Sequence, residues 1–396
     1  MRDSISKLLT STVAVAAFLL APPAARADFQ SCLAGLRGTA LSQGITAATF
    51  DTHTRGLEPN DAAEFLDKQP EFKTPIWDYM SGLVDEERVT EGKSKLREHG
   101  SALSTAESRF GVDRATIVAV WGVESDFGKN FGKKPLVQSL ATLSCIGRRT
   151  AYFRGEFVAV LRIIQNGDIK PSSLVGSWAG AFGHTQFMPS SFLRLAVDLD
   201  GDGRRDIVDS IPDALGSTAN HLKKSGWVTG LPWGFEVKLP SGYSGGSGRK
   251  NKHPLSYWSA QGISRMDGRS LGDGAAGLLL PAGANGPAFL VTRNFDAIYG
   301  YNASESYGLA IAHLSDRLRG GGPIRTPWPT DDAGLSRAER REMQSLLTRR
   351  GYDVGNPDGA IGEKTRAAIA DYQAKAGLKR DGRAGMLLLN SLKSGR

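Results

Sequence analysis

One carboxyl group, that of Glu124, lies on an otherwise apolar helical face and is the strongest candidate for acid–base chemistry. The face carries residues at the i, i+3, i+4 and i+7 spacing of a helix: Ile117, Val120, Trp121 and Glu124. Burial of such a carboxyl raises its pKa, and the group then keeps its proton near neutral pH, as a general acid requires. A core glutamate bonded to the backbone or to an arginine fits the same spacing equally well.

A second candidate site is the acidic segment Asp198–Asp209, which has the spacing of an EF-hand calcium loop. The candidate ligands are Asp198, Asp200, Asp202, Arg204, Asp206 and Asp209. Gly203 supplies the sharp turn, while Asp209 stands where glutamate is usual, and its shorter side chain is expected to weaken binding. A solvated acidic turn that binds no ion is the alternative interpretation.

Helices are predicted around both candidate sites. Asp113 can cap the helix that carries Glu124, and Gly128 lies just past its end. The apolar spacing in residues 28–112 indicates mostly helical structure. Further helices are predicted over residues 149–165, 211–225 and 304–317, with short strands within residues 228–295.

The C-terminal sixty residues are predicted to form a unit of their own. Residues 319–334 are rich in glycine and proline without an apolar period, which is typical of a linker, although a long surface loop is the alternative. Residues 335–396 follow as short helices separated by glycine turns, which predicts a three-helix core.

The N-terminus has the pattern of a secretory signal peptide. Arg2 and Lys7 precede an apolar stretch, and residues 25–27 have the small-x-small form that predicts cleavage after Ala27. The apolar stretch is shorter than the ~20 residues that span a bilayer, so no stable membrane anchor is expected.

Two cysteines, Cys32 and Cys145, lie beyond the predicted cleavage site. Because cysteines of exported proteins usually pair, we expect a disulfide between the N-terminal helix and the lobe that holds Glu124. Two cysteines this far apart do not suggest a zinc site.

The formal net charge of +8 favours contact with acidic polymers such as cell-wall material. No compact block of lysine and arginine with interleaved aromatic residues occurs, so we expect no nucleic-acid partner. We expect a monomer.

Five segments carry a resemblance to a known family: Phe72–Tyr79, Ile117–Gly128, Gly176–Ser190, Val197–Asp209 and Asn294–Ala310. In this order they resemble the membrane-bound lytic transglycosylase B family of murein-cleaving enzymes. The resemblance implies a mainly α (α+β), lysozyme-like catalytic domain over residues 28–318, with an EF-hand-like calcium loop and short strands.

Position by position, the resemblance implies that Glu124 is the catalytic residue. The substrate-binding residues it implies are Ser177, Gln186, Tyr301, Asn302, Tyr307 and, less specifically, Tyr79. Amides and hydroxyls suit sugar N-acetyl and hydroxyl groups, and tyrosine offers a flat apolar face. Core packing of the tyrosines, and turn bonding by Ser177 and Asn302, are the plainer interpretations. His184 replaces a glutamine of many relatives and is given no catalytic role.

The implied reaction cleaves the β-1,4 bond between N-acetylmuramic acid and N-acetylglucosamine in the periplasm. The muramyl 6-hydroxyl attacks its own C1, which leaves a 1,6-anhydro end and requires no catalytic cofactor. A muramidase on the same scaffold and a non-enzymatic wall-binding protein are the alternatives. The unit at residues 335–396 resembles the small peptidoglycan-binding module, and we expect its deletion to weaken wall binding but to spare activity on soluble fragments.

Overall fold

The computed structural model describes residues 23–66 and 74–395, with side chains from Asp28 onward. The predicted signal peptide, apart from the backbone of residues 23–27, and residues 72–73 of the first family segment lie outside the described residues. No helix within the described ranges is long and apolar enough to cross a membrane.

The described chain is mainly helical, in agreement with the predicted fold class. Its helices are α1 (Pro23–Ser42), α2 (Ala47–Thr54), α3 (Ala62–Phe65), α4 (Ile76–Leu83), α5 (Glu86–Glu98), α6 (Gly100–Phe110), α7 (Arg114–Ser125), α8 (Leu136–Cys145), α9 (Thr150–Asn166), α10 (Pro189–Leu195), α11 (Ile211–Lys224), α12 (Leu255–Ala260), α13 (Arg293–Asn302), α14 (Glu305–Leu318), α15 (Arg337–Arg349), α16 (Glu363–Lys375) and α17 (Met386–Ser394).

The short strands predicted within residues 228–295 form one antiparallel sheet. Strands β1 (Lys134–Pro135) and β2 (Val175–Gly176) pair separately, whereas β3 (Gly234–Lys238), β4 (His253–Pro254), β5 (Ser264–Arg265), β6 (Ala275–Leu279) and β7 (Ala288–Val291) lie in the order β4-β6-β7-β3-β5. The sheet has its own apolar core, in which the indole of Trp258 donates to the Ala276 carbonyl at 2.8 Å.

Two larger apolar clusters lie in the helical region. One surrounds α7 and contains Trp121 and Leu314, and the other surrounds α8 and α9 and contains Phe157. A disulfide between Cys32 and Cys145, with Cα atoms 5.8 Å apart, joins α1 to the end of α8. The second cluster and the disulfide together hold the N-terminal helix against the rest of the fold.

Helix α7 has a well-defined start and an abrupt end. The Asp113 carboxylate accepts from the Ala115 amide at 2.9 Å and caps the helix, as predicted. The chain then leaves the helix through left-handed backbone at Asp126, Phe127 and Gly128. The Phe127 ring folds back under Gly122, where a Cβ atom would lie only 2.7 Å from the ring. This exit leaves Glu124 in the last turn of α7.

Residues 319–334, the predicted linker or surface loop, pack along the preceding region. The backbone amides of Arg325 and Thr326 donate to the Glu236 carboxylate at 2.9 and 2.8 Å. Ile324 and Trp328 are partly buried against the core around α7. The segment is held because two of its backbone amides bond to the Glu236 carboxylate and two of its apolar side chains pack against the core. Composition alone does not predict these contacts.

Helices α15, α16 and α17 enclose a small separate core, as predicted. The core includes Leu335, Leu347, Ile369 and Leu389. The segment before α15 also pairs with the segment before α17, through a bridge between Gly334 and Gly385.

Loss of the disulfide is expected to destabilise the protein. Replacement of both Cys32 and Cys145 by serine frees a loop with a sequence separation of 113, and such a loss typically costs about 2–5 kcal/mol. Thermal unfolding should show a lower melting temperature than the wild type under oxidising conditions. Addition of a thiol reductant should lower the wild-type value towards that of the double variant, and identical melting of both proteins without reductant would refute a stabilising bond.

Candidate active site

A cleft of about 830 Å³ contains the side chain of Glu124. It is lined by Thr74, Pro75, Asp78, Tyr79, Gly82, Leu83, Val123, Glu124, Asn302, Tyr307, Arg340, Ile361, Arg366, Asp381, Arg383 and Ala384. One wall comes from α4, α7 and the α13–α14 turn, and the other comes from the C-terminal unit. Of the predicted site residues, the cleft brings together four: Glu124, Tyr79, Asn302 and Tyr307.

The partner of Glu124 is a phenol, since the Tyr307 hydroxyl donates to its Oε1 atom. Tyr307 is buried in the first turn of α14, which the Ser304 hydroxyl caps. The ring of Tyr301 lies parallel to that of Tyr307 at 6.4 Å, and its hydroxyl donates to the Thr185 carbonyl at 2.8 Å. Tyr301 thus supports Tyr307 from behind and does not line the cleft.

The environment of Glu124 favours the protonated carboxyl. The residue is half-buried, and desolvation raises the pKa of its carboxyl to about 8, although the hydrogen bond from Tyr307 lowers it. Burial likewise raises the pKa of the Tyr307 and Tyr301 hydroxyls well above the ordinary value. At neutral pH the site therefore presents a protonated acid beside neutral phenols.

His184 packs behind α7 and is partly buried. Its Nδ1 atom accepts from the Trp121 indole at 3.1 Å, and its ring meets those of Trp121 and Phe131 edge to face. Burial lowers the pKa of His184 to about 4, so the imidazole is neutral. Its position indicates a packing role behind the helix of Glu124.

Ser177 and Gln186 lie in the loop between β2 and α10 and do not line this cleft. The Ser177 hydroxyl accepts from the Ala181 amide at 3.0 Å, and the Gln186 amide donates to the Gly183 carbonyl at 2.9 Å. The predicted turn bonding of Ser177 is therefore present. A sugar-binding role for either residue stays a prediction.

The other carboxylates near the predicted motifs have cationic or amide partners. Among the described cleft residues, Asp78 accepts two bonds of 2.7 Å from Arg383, and Asp381 accepts from the Gln373 side chain at 2.9 Å. Asp126 lies 2.6 Å from Arg337, and Asp296 lies 2.6 Å from Arg249. Each of these carboxylates has a cationic or amide partner, whereas the partner of Glu124 is the Tyr307 hydroxyl.

The acidic loop brings together three of its six predicted ligands. Carboxylate oxygens of Asp198, Asp200 and Asp202 lie within 4.8 Å of one another, and three hard oxygens suit Ca²⁺. Asp206 and Asp209 lie outside this group. The Asp206 carboxylate accepts instead from the Val208 and Asp209 amides, both at 2.9 Å. The Arg204 guanidinium pairs with Asp202 at 2.9 Å.

Asp213, which the sequence did not single out, organises this loop. It is fully buried and accepts from the Leu199 amide at 2.7 Å and the Asp206 amide at 2.8 Å. The loop in turn reaches the active site, because the Ile207 carbonyl accepts from the His184 amide at 3.0 Å. The spacing of an EF-hand gives no signal for Asp213, which lies beyond the twelve-residue pattern.

The C-terminal wall of the cleft was also missed by sequence reasoning. Arg340, Ile361, Arg366 and Arg383 line it. They are far in sequence from Glu124, and their types and spacing are those of ordinary surface residues of a small helical unit. These residues line the cleft because the C-terminal unit packs against the catalytic region.

A mainly helical fold with one protonated carboxyl in a cleft lined by tyrosine and amide groups defines a lysozyme-like class of glycan-cleaving enzyme. Residues 28–316 match the transglycosylase SLT domain, and residues 336–392 match the putative peptidoglycan binding domain. The chain therefore belongs to the family of SLT-domain transglycosylases.

Several relatives are similar over most of the chain. Membrane-bound lytic murein transglycosylase B of Escherichia coli K12 is 33% identical over 269 residues, which cover 66% of this chain and 73% of that protein. SltB3 from Pseudomonas aeruginosa in complex with NAG-anhNAM-pentapeptide is 44% identical, with a TM-score of 0.74 over 92% of this chain and 99% of that one. The Escherichia coli lytic transglycosylase Slt35 in complex with calcium is 29% identical, with a TM-score of 0.64 over 74% of this chain and 93% of that one.

Replacement of Glu124 by glutamine is expected to change the pH dependence of stability. A carboxyl whose folded pKa is raised to about 8 stabilises the fold fully below its unfolded value of about 4.5, and this contribution is lost as pH rises through 8. The melting temperature of Glu124→Gln minus that of the wild type should therefore increase between these pH values and then level off.

The same substitution at Glu363, an exposed carboxyl on α16, corrects for the general effect of removing a charge. If the melting temperature of Glu124→Gln minus that of the wild type does not change with pH, the raised pKa of Glu124 is contradicted.

Proposed function

We propose that this chain is a lytic transglycosylase that cleaves the β-1,4 bond between N-acetylmuramic acid and N-acetylglucosamine in peptidoglycan and leaves 1,6-anhydromuramic acid ends. The observation that carries the proposal is the Glu124 carboxyl, protonated at neutral pH, in an open cleft beside Tyr307. Membership of the SLT-domain family supports the substrate class. The complexes of SltB3 with NAG-anhNAM-pentapeptide and with NAG-NAM-pentapeptide support the same substrate class.

In the proposed mechanism Glu124 acts first as acid and then as base. It donates its proton to the glycosidic oxygen as the bond from muramyl C1 to that oxygen breaks. The 6-hydroxyl of the same muramyl residue then attacks C1, and its proton passes to the Glu124 carboxylate. One C–O bond breaks and one forms, the enzyme regains its proton, and no water is consumed.

The surrounding charges favour this internal attack over hydrolysis. Retaining and inverting glycosidases need a second carboxylate, as nucleophile or as base for water. In the described cleft, both oxygens of Asp78 are engaged by Arg383, and Asp381 is engaged by Gln373. With these carboxylates engaged by protein donors, the substrate itself supplies the nucleophile.

The remaining site residues are proposed to bind the sugars. Tyr79 and Asn302 line the cleft beside Glu124 and suit ring stacking and N-acetyl recognition. Tyr307 holds the Glu124 carboxyl, and Tyr301 supports Tyr307. Ser177 and Gln186 remain candidates because of the family resemblance. The chemistry needs no cofactor.

We further propose that the protein acts as a monomer in the periplasm, where residues 335–396 bind the wall. The predicted signal peptide and the match of residues 336–392 to the putative peptidoglycan binding domain support this location and role. Such a module raises the local concentration of glycan strands around the catalytic cleft.

Calcium is proposed as a structural ion held by Asp198, Asp200 and Asp202. The three carboxylates repel one another until a cation neutralises them, and the calcium complex of Slt35 supports the choice of ion. When bound, the ion would hold the three carboxylates of the loop together and would take no part in the chemistry. The hydrogen bond from the His184 amide to the Ile207 carbonyl connects this loop to the turn behind Glu124.

Glu124→Gln should abolish cleavage of purified sacculi. Loss of a general acid and base typically lowers the rate by about 10²–10⁴-fold, while folding and wall binding should persist. Glu305→Gln is the matched control, because this carboxyl lies in the last family segment, is 47% exposed and lines no part of the cleft. Wild-type lysis by a folded Glu124→Gln protein would overturn the assignment.

Mass analysis of the wild-type digest tests the reaction type. The muropeptides should be lighter than hydrolysis products by one water and should resist borohydride reduction. Reducible N-acetylmuramic acid ends as the main product would instead identify a muramidase.

Calcium should raise the melting temperature of metal-free protein by mass action, since the unfolded chain does not assemble the three carboxylates. Combined Asp198→Asn and Asp200→Asn substitutions should remove the response. Asp353→Asn, an exposed aspartate in the C-terminal unit, should preserve it. An unchanged wild-type melting curve in calcium would refute the site.

A further inference from the structure

We infer that Arg337, a residue of the C-terminal unit, is a positioning residue for Glu124. The inference rests on the proposed function, because it concerns the geometry of that acid. It assigns to the C-terminal unit a part in catalysis on soluble glycans, besides the wall binding proposed above.

The side chain of Arg337 crosses from the start of α15 to the catalytic region and is held by two carboxylates there. Its Nη1 atom donates to Asp126 Oδ1 at 2.6 Å, and its Nε and Nη2 atoms donate to the two oxygens of Asp85 at 2.8 and 3.2 Å. The contact is largely buried, with side-chain exposures of 14% for Arg337 and 3% for Asp85. Such a fork fixes both position and orientation of the carboxylates.

Asp126 is the residue at which α7 ends, two positions after Glu124. Its backbone is left-handed, with a φ of 51°, a conformation that a residue with a side chain adopts only when its surroundings hold it. Its carboxylate also accepts from Arg88, whose side chain is 6% exposed and donates to the Gly82 carbonyl at 3.0 Å. The exit from the catalytic helix is thus held by two arginines, one from each unit.

Arg337 is the cation that bonds both carboxylates of this contact, Asp85 and Asp126. Asp126 also has Arg88 at 3.3 Å and Lys129 at 3.9 Å, both from the catalytic region. Removal of Arg337 takes away the group that joins the two carboxylates, and the contact repacks or draws in water. The last turn of α7 then loses one of the contacts that set the direction of the Glu124 side chain.

A second contact holds α4, which lies on the same wall of the cleft as α7. Arg383 binds both oxygens of Asp78 at 2.7 Å, and Asp78 is the neighbour of Tyr79 in α4. Arg340 donates to the Asp78 carbonyl at 3.0 Å. Because the same unit binds the elements that carry Tyr79 and Glu124, its docking fixes both elements relative to the C-terminal wall of the cleft. The inference therefore predicts that deletion of residues 335–396 lowers activity on soluble fragments, in contrast to the sequence-based expectation.

The test measures kcat and KM of full-length variants on a soluble tetrasaccharide of alternating N-acetylglucosamine and N-acetylmuramic acid. Arg337→Gln should lower kcat at least tenfold, with KM within about twofold of the wild type and unchanged binding to sacculi. Arg337→Lys keeps a cation in the contact and should recover part of kcat. The matched control is Arg341→Gln, which removes an exposed ion pair with Glu87 across the same boundary and should leave kcat unchanged.

A double-variant cycle shows whether Arg337 acts through Asp126. If it does, Arg337→Gln combined with Asp126→Asn should lower kcat no further than Arg337→Gln alone. Wild-type kcat for Arg337→Gln, equal losses for Arg337→Gln and Arg341→Gln, or additive effects in the cycle would each overturn the inference. Glu124→Gln in the same assay distinguishes failure of the proposed function from failure of the Arg337 inference. Activity of Glu124→Gln would contradict the proposed function, whereas the Arg337 variants test only the positioning role.

Discussion

The structure depends on one requirement, that a carboxyl group keep its proton while it remains open to a polymer. Glu124 meets this requirement at the edge of an apolar core, where desolvation raises its pKa to about 8 and a phenol is its hydrogen-bonding partner. Tyr307, which supplies that phenol, is 183 residues away in sequence. The contact between Glu124 and Tyr307 therefore forms only when helices α7 and α14 pack side by side. Trp121 and Leu314 belong to the core that holds these two helices together.

The charges around Glu124 follow from the same requirement. Nearby carboxylates are paired with arginines, Asp78 with Arg383 and Asp126 with Arg337. The described contacts of Glu124, by contrast, include no cation, which would stabilise its ionised form and lower its pKa. Arginines thus pair with the structural carboxylates, and Glu124 has no such partner among its described contacts. This difference leaves Glu124 as the proton donor and favours attack on C1 by the substrate's own hydroxyl.

The C-terminal unit takes part in this distribution, because Arg337 and Arg383 both belong to it. A module joined by a free linker would add affinity for the wall and nothing else. Here the connecting segment is bound through Glu236, and the unit forms one wall of the cleft. The proposed wall binding and the proposed positioning of the acid are therefore assigned to the same docked unit.

The sequence by itself determined those features that depend on local order. The cap at Asp113, the apolar face of α7, the strands within residues 228–295 and the three-helix unit follow from spacing and turn chemistry, and the structure confirms them. In the acidic loop, three of the predicted carboxylates lie together, while Asp206 accepts from the Val208 and Asp209 amides. The backbone amide of Asp206 donates to buried Asp213, a contact that the loop spacing does not indicate. The bound linker and the arginine wall were not predictable, because their partners lie 89 to 305 positions away in sequence. Tertiary structure alone decided them, since burial and charge pairing depend on which surfaces meet, and composition and periodicity describe only one segment at a time.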